Sequence, residues 1–142
     1  MENCIFCKII AGEIPSTTIY EDESVKAFLD ISQTTPGHTL VVPKKHVADI
    51  FEYDTNLAAT VFQRIPKIAR AIKNSNTSIK GMNIVNNNGA IAYQSVFHSH
   101  FHLIPRYSEK DDFKMNFTDN SDKYKQEKLN HIAAQIKKQF KE

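Results

Sequence analysis

Apolar and polar positions along the chain alternate with two different periods, and the changes of period mark out its elements. Residues 3–11 are apolar enough for a short helix, stopped by Gly12 and then Pro15. Thr17 to Tyr20 and Val25 to Asp30 read as strands around the polar turn Glu21-Asp22-Glu23-Ser24. A turn at Pro36-Gly37 leads into a third strand, His38 to Val42, which ends at Pro43. Asp54 or Thr55 is placed to cap a long helix running to about Asn74, because Leu57, Val61, Ile65, Ile68 and Ile72 recur at helical spacing. Pro66 inside that pattern predicts a bend or two abutting helices. Gly81 to Val85 predicts a strand that opens into the loop Asn86-Asn87-Asn88-Gly89, and Val96 to Pro105 predicts the last strand. Beyond Arg106 the chain turns charged and polar until Leu129, Ile132, Ala133, Ile136 and Phe140 mark a terminal amphipathic helix. That helix is read as a cover for the core or for a dimer partner. The sum is an α+β chain, a mostly antiparallel sheet with helices packed on it.

Composition narrows the picture. A chain of 142 residues with 41% hydrophobic and 24% charged residues is sized for one self-sufficient domain over residues 1–142, with a core over 3–107 and a tail and helix over 108–142. Its formal net charge is only +2, the basic residues are scattered, and Lys44-Lys45 is too short to make a patch. A nucleic-acid surface built on bulk charge is therefore not expected. No apolar run approaches the roughly 18–20 residues that span a bilayer, and no basic region followed by a long apolar stretch opens the chain. A cytoplasmic protein without a membrane partner is the expectation. The two cysteines, Cys4 and Cys7, stand as Cys-Ile-Phe-Cys, which in a reducing compartment suits metal binding or redox work better than a structural disulfide.

The strongest chemical signal is Phe97-His98-Ser99-His100-Phe101-His102-Leu103-Ile104-Pro105. In a strand, residues two apart share a face roughly 6.6 Å from each other, so His98, His100 and His102 are predicted to project together. Three imidazoles on one sheet face are costly to desolvate without partners. The end members of such a row lie about 13 Å apart, too far to share one ion whose ligands sit within about 2.1 Å of it. Nucleophilic and acid–base work on a phosphoryl group suits them better, because imidazole titrates near neutrality.

Gln94 to Pro105, together with Ala27-Phe28-Leu29-Asp30-Ile31-Ser32 and His38 to His46, resembles the histidine triad (HIT) superfamily over about residues 3–107. The one departure inside the motif is Ser99, where the family usually has an aliphatic residue, expected to be a small change on an outward face. The resemblance implies that His100 attacks the α-phosphorus of a nucleotide and becomes a transient nucleotidyl-histidine that water resolves. It implies that the carbonyl of His98 holds the Nδ1 proton of His100, that His102 bonds the α-phosphate, and that Ser95 orients the phosphate or leaving group. Asp30 and Ile31 match the ribose- and base-binding segment, Asn87 a polar residue near the phosphates, and His38 a supporting histidine. The substrate implied is a purine nucleotide carrying a phosphoramide, dinucleoside polyphosphate or acyl-phosphate leaving group, giving an AMP-type product. A homodimer is implied too.

The cysteine pair supplies half of a tetrahedral zinc site, with His46 and His98 as candidates for the rest. Within the resemblance, Cys4, Cys7, His46 and His98 match positions that hold a structural zinc in several bacterial members. A redox role for the Cys-x-x-Cys at a helix start stays open beside it. Other residues carry less: His131 is expected on a solvated helix face, and Lys44 and Lys45 either steer an anion or are plain surface charges. Arg106 is expected to touch a phosphate or a partner chain. Tyr93 stands where many relatives carry glycine and either narrows the pocket or reaches a base. Two further function classes compete with the hydrolase of the Hint-type branch. One is a nucleotide-binding module with little turnover. The other is a nucleotidyl transferase, whose branch has glutamine where this chain has His102.

Overall fold

The computed structural model describes residues 3–140. Helix α1 (Ile5–Ile10) begins where the thiol of Cys4 accepts the backbone N–H of Cys7 at 3.3 Å, and buries Phe6 and Ile9. It ends before Gly12, whose φ of +84° takes the chain out of the helix. Strands β1 (Thr18–Glu21) and β2 (Val25–Leu29) form a hairpin around Asp22, whose Oδ1 accepts the N–H groups of Ser24 and Val25 at 2.8 and 2.9 Å. Strand β3 (Thr39–Pro43) follows. Then comes helix α2 (Thr55–Asn74), capped by Asp54, whose carboxylate accepts the N–H of Leu57. Strand β4 (Gly81–Val85), strand β5 (Phe101–Arg106) and helix α3 (Gln126–Lys137) complete the order.

The strands make one antiparallel sheet in the order β1-β2-β3-β5-β4. Its register sorts side chains by face. Val25, Ala27, Val41, Phe101 and Leu103 meet Val61, Ile65, Ile68 and Ile72 of α2 on one side. Phe28, Leu40 and Val42 meet Phe6 and Ile9 of α1 on the other. Each fully buried aliphatic side chain in these layers contributes about 1.5–3 kcal/mol. His102 pairs with Leu40 in register, so it looks to the α1 side.

Three expectations are corrected. The last strand begins at Phe101, not Val96, so His98 and His100 precede the sheet and only His102 lies in it. The reason is hydrogen bonding: β3 pairs with β5 only over Phe101 to Leu103. Upstream of that, the carbonyl of His100 accepts from the Asn86 side chain, and the N–H of Ser99 donates to Val47. Secondly, α2 runs as one helix through Pro66, which lies on its exposed side, so two abutting helices are not formed. Thirdly, α3 buries none of its residues, and Leu129 and Ile136 are exposed. It therefore does not cover the core of its own chain, because its apolar stripe has no sheet surface beneath it.

Candidate active site

The segment ahead of β5 and the first turn of the strand itself bring His100 and His102 together, with ring centroids 5.2 Å apart. His100 is 6% exposed and packs edge-on against Phe6, 5.0 Å between centroids. Its Nδ1 lies 2.8 Å from the carbonyl oxygen of His98, an acceptor, so Nδ1 carries the proton and donates it. Nε2 is left with its lone pair and has no hydrogen bond among the described residues.

His102 is set from the opposite direction. The backbone N–H of Thr34 donates to Nδ1 of His38 at 3.3 Å, which places the proton of His38 on Nε2. That Nε2–H donates to Nδ1 of His102 at 2.9 Å. The proton of His102 therefore sits on its Nε2. A backbone amide, which cannot titrate, thus dictates through two rings that His102 offers a donor. Asp30 stands 3.6 Å from Nε2 of His38, with its other oxygen accepting the N–H and hydroxyl of Ser32 at 2.8 and 2.6 Å. These three groups lie close enough to hold a cation. The 2.9 Å nitrogen–nitrogen contact is a hydrogen bond already made.

Electrostatics agree with neutral rings. Burial pushes His38 and His100 below the usual imidazole range against the pull of Asp30. Burial, then the neighbouring His100 and His38, takes His102 down to about 4. Burial would raise Asp30, but the two Ser32 hydrogen bonds outweigh it and hold the carboxylate ionised. The site thus combines an unprotonated nucleophilic nitrogen with an uncharged donor beside it.

His100 and His102 open onto a cavity of about 640 Å³, floored by Phe6, Phe28 and Leu40 and bordered by Asp30, Ile31, Asn87 and Ser95. Those last four are the residues expected at the nucleotide, and the fold gathers all of them around one hollow. His38 stands behind His102. Lys44 and Lys45 line a different hollow, with Lys44 paired to Glu21 at 2.8 Å. Arg106 does not line this cavity; Asp111 and Asn83 hold its guanidinium at 3.0 and 2.8 Å. Ser99 is not outward-facing: it is 1% exposed, and its Oγ shares a 2.9 Å hydrogen bond with the Tyr53 hydroxyl. An aliphatic residue there would leave that hydroxyl unpaired. His131 is exposed on α3, as expected.

The ring of His98 points elsewhere. It is fully buried, its Nε2–H donates to the Pro43 carbonyl at 2.8 Å, and its Nδ1 lone pair faces two sulfurs. Cys4 Sγ lies 3.3 Å away, Cys7 Sγ 3.6 Å, and Nδ1 of His46 3.2 Å, with Cys7 and His46 3.4 Å apart. All four ligand atoms fall within 4.8 Å of one another. A zinc tetrahedron with bonds of about 2.3 Å to sulfur and 2.0–2.1 Å to nitrogen has sulfur–nitrogen edges of about 3.6 Å and a nitrogen–nitrogen edge of about 3.3 Å. The donor set fits that ion in distance, in number and in charge, since two thiolates balance a dication.

Several participants were not foreseen. Asn86 fixes the carbonyl of His100 at 2.9 Å, and Asn88 in turn donates to Asn86 Oδ1 at 2.7 Å. The Asn triplet was visible in sequence but not its division of labour. Phe6 and Thr34 left no signal, because their roles arise from packing and from a backbone group.

Comparison with known proteins places this geometry. The family model for the HIT domain matches residues 11–109. "Protein hit" of Bacillus subtilis is 54% identical over 139 residues, covering 98% of this chain and 95% of that protein. An adenosine 5′-monophosphoramidase of Schizosaccharomyces pombe, hnt1, is 42% identical over 108 residues, covering 76% and 77%. Among solved structures, a HIT family member from Bacillus subtilis superposes with a TM-score of 0.95 at 52% identity over 99% of both chains. A zinc-bound histidine triad family protein from Mycobacterium smegmatis superposes at 0.73 and 35% identity, covering 96% and 97%. The chain belongs to the HIT domain family.

Proposed function

We propose that this chain is a nucleotide hydrolase that cleaves at the α-phosphate of purine nucleotides through a nucleotidyl-histidine intermediate on His100. The observation that carries the reading is the 2.8 Å bond from Nδ1 of His100 to the His98 carbonyl, which frees Nε2 toward the cavity. In the first step Nε2 forms a bond to the α-phosphorus while the bond from phosphorus to the leaving group breaks. Water then adds to phosphorus, the bond to His100 breaks, and the nucleoside monophosphate leaves. His102 donates its Nε2–H to a phosphate oxygen, and Ser95 and Asn87 border the same centre. Asp30 accepts from the ribose hydroxyls and Ile31 meets the base, above the apolar floor of the cavity. Rate acceleration comes mainly from positioning and from donors aimed at the phosphoryl oxygens.

Of the leaving groups open to this chemistry, phosphoramides fit better than dinucleoside polyphosphates. Among the described residues that line the cavity, Asp30 is the one charged side chain, and no lysine or arginine is present to balance a polyphosphate. Relatives named as adenosine 5′-monophosphoramidases support the same choice. The retained His102 favours hydrolysis over nucleotidyl transfer, and the intact His100 and Ser95 favour turnover over mere binding.

Cys4, Cys7, His46 and His98 would hold a structural zinc, which supplies no chemistry at phosphorus but ties α1 to the segment carrying the nucleophile. The two histidines that complete the set favour this over a redox role for the cysteines. The zinc-bound relative adds weight. We read residues 1–142 as one domain and the protein as a cytoplasmic homodimer, with the exposed apolar stripe of α3 available for burial. No described helix is long and apolar enough to cross a membrane.

Incubation with adenosine 5′-phosphoramidate and a diadenosine polyphosphate in parallel tests the activity. Mass spectrometry of quenched samples looks for adenylate on His100. His100→Ala is expected to lose measurable turnover while still binding nucleotide. Normal hydrolysis by that variant ends the assignment.

A further inference from the structure

Tyr93 has a conformation that its packing does not explain. Its backbone lies in the left-handed region at φ +73°, where a side chain other than glycine is strained, yet the residue is 87% exposed. The residues around it are held firmly. Gln94 is 4% exposed; its Oε1 accepts the N–H of Gly89 at 2.7 Å, and its amide nitrogen donates to the carbonyls of Ala48 and Val96 at 2.6 and 3.1 Å. The backbone of Gln94 closes back onto Gly89 as well, at 3.1 Å. This clasp holds the loop in the shape that strains Tyr93 and keeps the residue on the border of the cavity that His100 and His102 line. The ring neither fills the core nor relaxes the backbone.

The sheet register says which part of the cavity the ring borders. Asp30 and His38 lie where β2 meets β3, and Thr39 of β3 pairs with Leu103 of β5, so they stand beyond His102 toward the later part of β5. Val85 at the end of β4 pairs with His102, so residues 86–95 follow at the other end, where β5 begins next to His100. With the nucleoside at Asp30 and Ile31 and the phosphate at His100 and His102, the leaving group is left with the end bordered by Asn87, Tyr93, Ser95 and Val96.

We infer that Tyr93 is a specificity-determining residue that stacks on the leaving group and selects for a planar, uncharged one. This rests on the hydrolase reading above. A flat π-face at that end, with no cation beside it, favours an aromatic group over an aliphatic group of equal size and over an anionic chain.

The test compares the N-benzyl and N-cyclohexylmethyl phosphoramidates of adenosine 5′-monophosphate, which are equal in size and differ in planarity. The wild-type protein is expected to prefer the benzyl compound in kcat/KM. Tyr93→Gly is expected to lower that preference roughly three- to tenfold, mainly through the KM of the benzyl substrate, while Tyr93→Phe keeps it. Tyr93→Gly relieves the strained backbone, so its Tm is expected to hold or rise, which separates lost stacking from lost structure. If both substrates are cleaved and the preference is the same in Tyr93→Gly, the assignment of Tyr93 falls and the hydrolase reading stands. If the wild-type protein cleaves neither compound nor adenosine 5′-phosphoramidate, the hydrolase reading falls and takes this one with it.

Discussion

Two groups of imidazoles lie side by side along this chain and are built on opposite plans. Around His98 the rings converge: the Nδ1 atoms of His46 and His98, with two sulfurs, face a common point. Around His102 they run in series: Thr34, His38 and His102 pass one orientation from donor to acceptor until a proton faces the cavity. Four converging nitrogens and sulfurs have the arrangement of a metal-ligand set, whereas a series of donors and acceptors is complete in itself. His98 joins the two plans, because its ring belongs to the first while its carbonyl orients the ring of His100. The difference shows that the same residue type, two positions apart, takes its role from which ring nitrogen is already occupied.

Removing the ligands of the proposed zinc should break this contrast most severely. Cys4→Ser with Cys7→Ser is expected to leave less than half an equivalent of zinc by metal analysis. It should also lower stability by several kcal/mol, on the order of 10 °C in Tm, because the binding free energy of the ion no longer supports the fold. Full stability with freely titratable thiols in the wild-type protein would instead mean that no ion holds the cluster.

Acid should strain the series. His102 has its pKa pulled from 6.5 to about 4, and His38 is lowered as well, so the folded state binds fewer protons than the unfolded chain between those values. Stability therefore rises with pH through that window and is lost as pH falls from about 6.5 toward 4. At about 1.4 kcal/mol per pH unit, His102 alone accounts for up to roughly 3 kcal/mol at the acid end. Denaturant midpoints measured at pH 7, 6, 5 and 4 check this, and a flat profile would contradict neutral rings.

His38→Ala removes the middle of the series. It strips His102 of the partner that places its proton, and turnover is expected to fall roughly ten- to a hundredfold with metal content unchanged. An equal loss of zinc would show that the two plans are one network. The smallest effect is expected from Tyr53→Phe, which leaves the buried Ser99 hydroxyl, next to His100 in the chain, without its partner. About 1 kcal/mol of stability should go, read by denaturant unfolding, and Ser99→Ala in the same background should cost little more.

Much of the fold was legible as periodicity. The apolar stripe of α2, the strand Gly81–Val85 and the cap at Asp54 follow from local spacing, because burial on one face dictates them residue by residue. The start of β5 was not legible. Histidines recur at every second position from 98 to 102, but a strand exists only where a neighbour offers its ladder, and here Asn86 and Val47 take the hydrogen bonds upstream of Phe101. For the same reason the three histidines do not form a single row. Ser99 was misplaced for want of a view of Tyr53, more than forty residues distant in sequence.

What the chain determined by itself is the inventory and its order: three alternating histidines, a Cys-x-x-Cys, and an aspartate and asparagines at the ends of strands, all in the sequence of a HIT domain. Tertiary structure alone decided which ring nitrogen of His38, His98, His100 and His102 is free. That choice depends on carbonyls and amides of Pro43, His98 and Thr34, groups every residue possesses and no sequence pattern distinguishes. Composition names the imidazoles, and the backbone that folds around them assigns their protons.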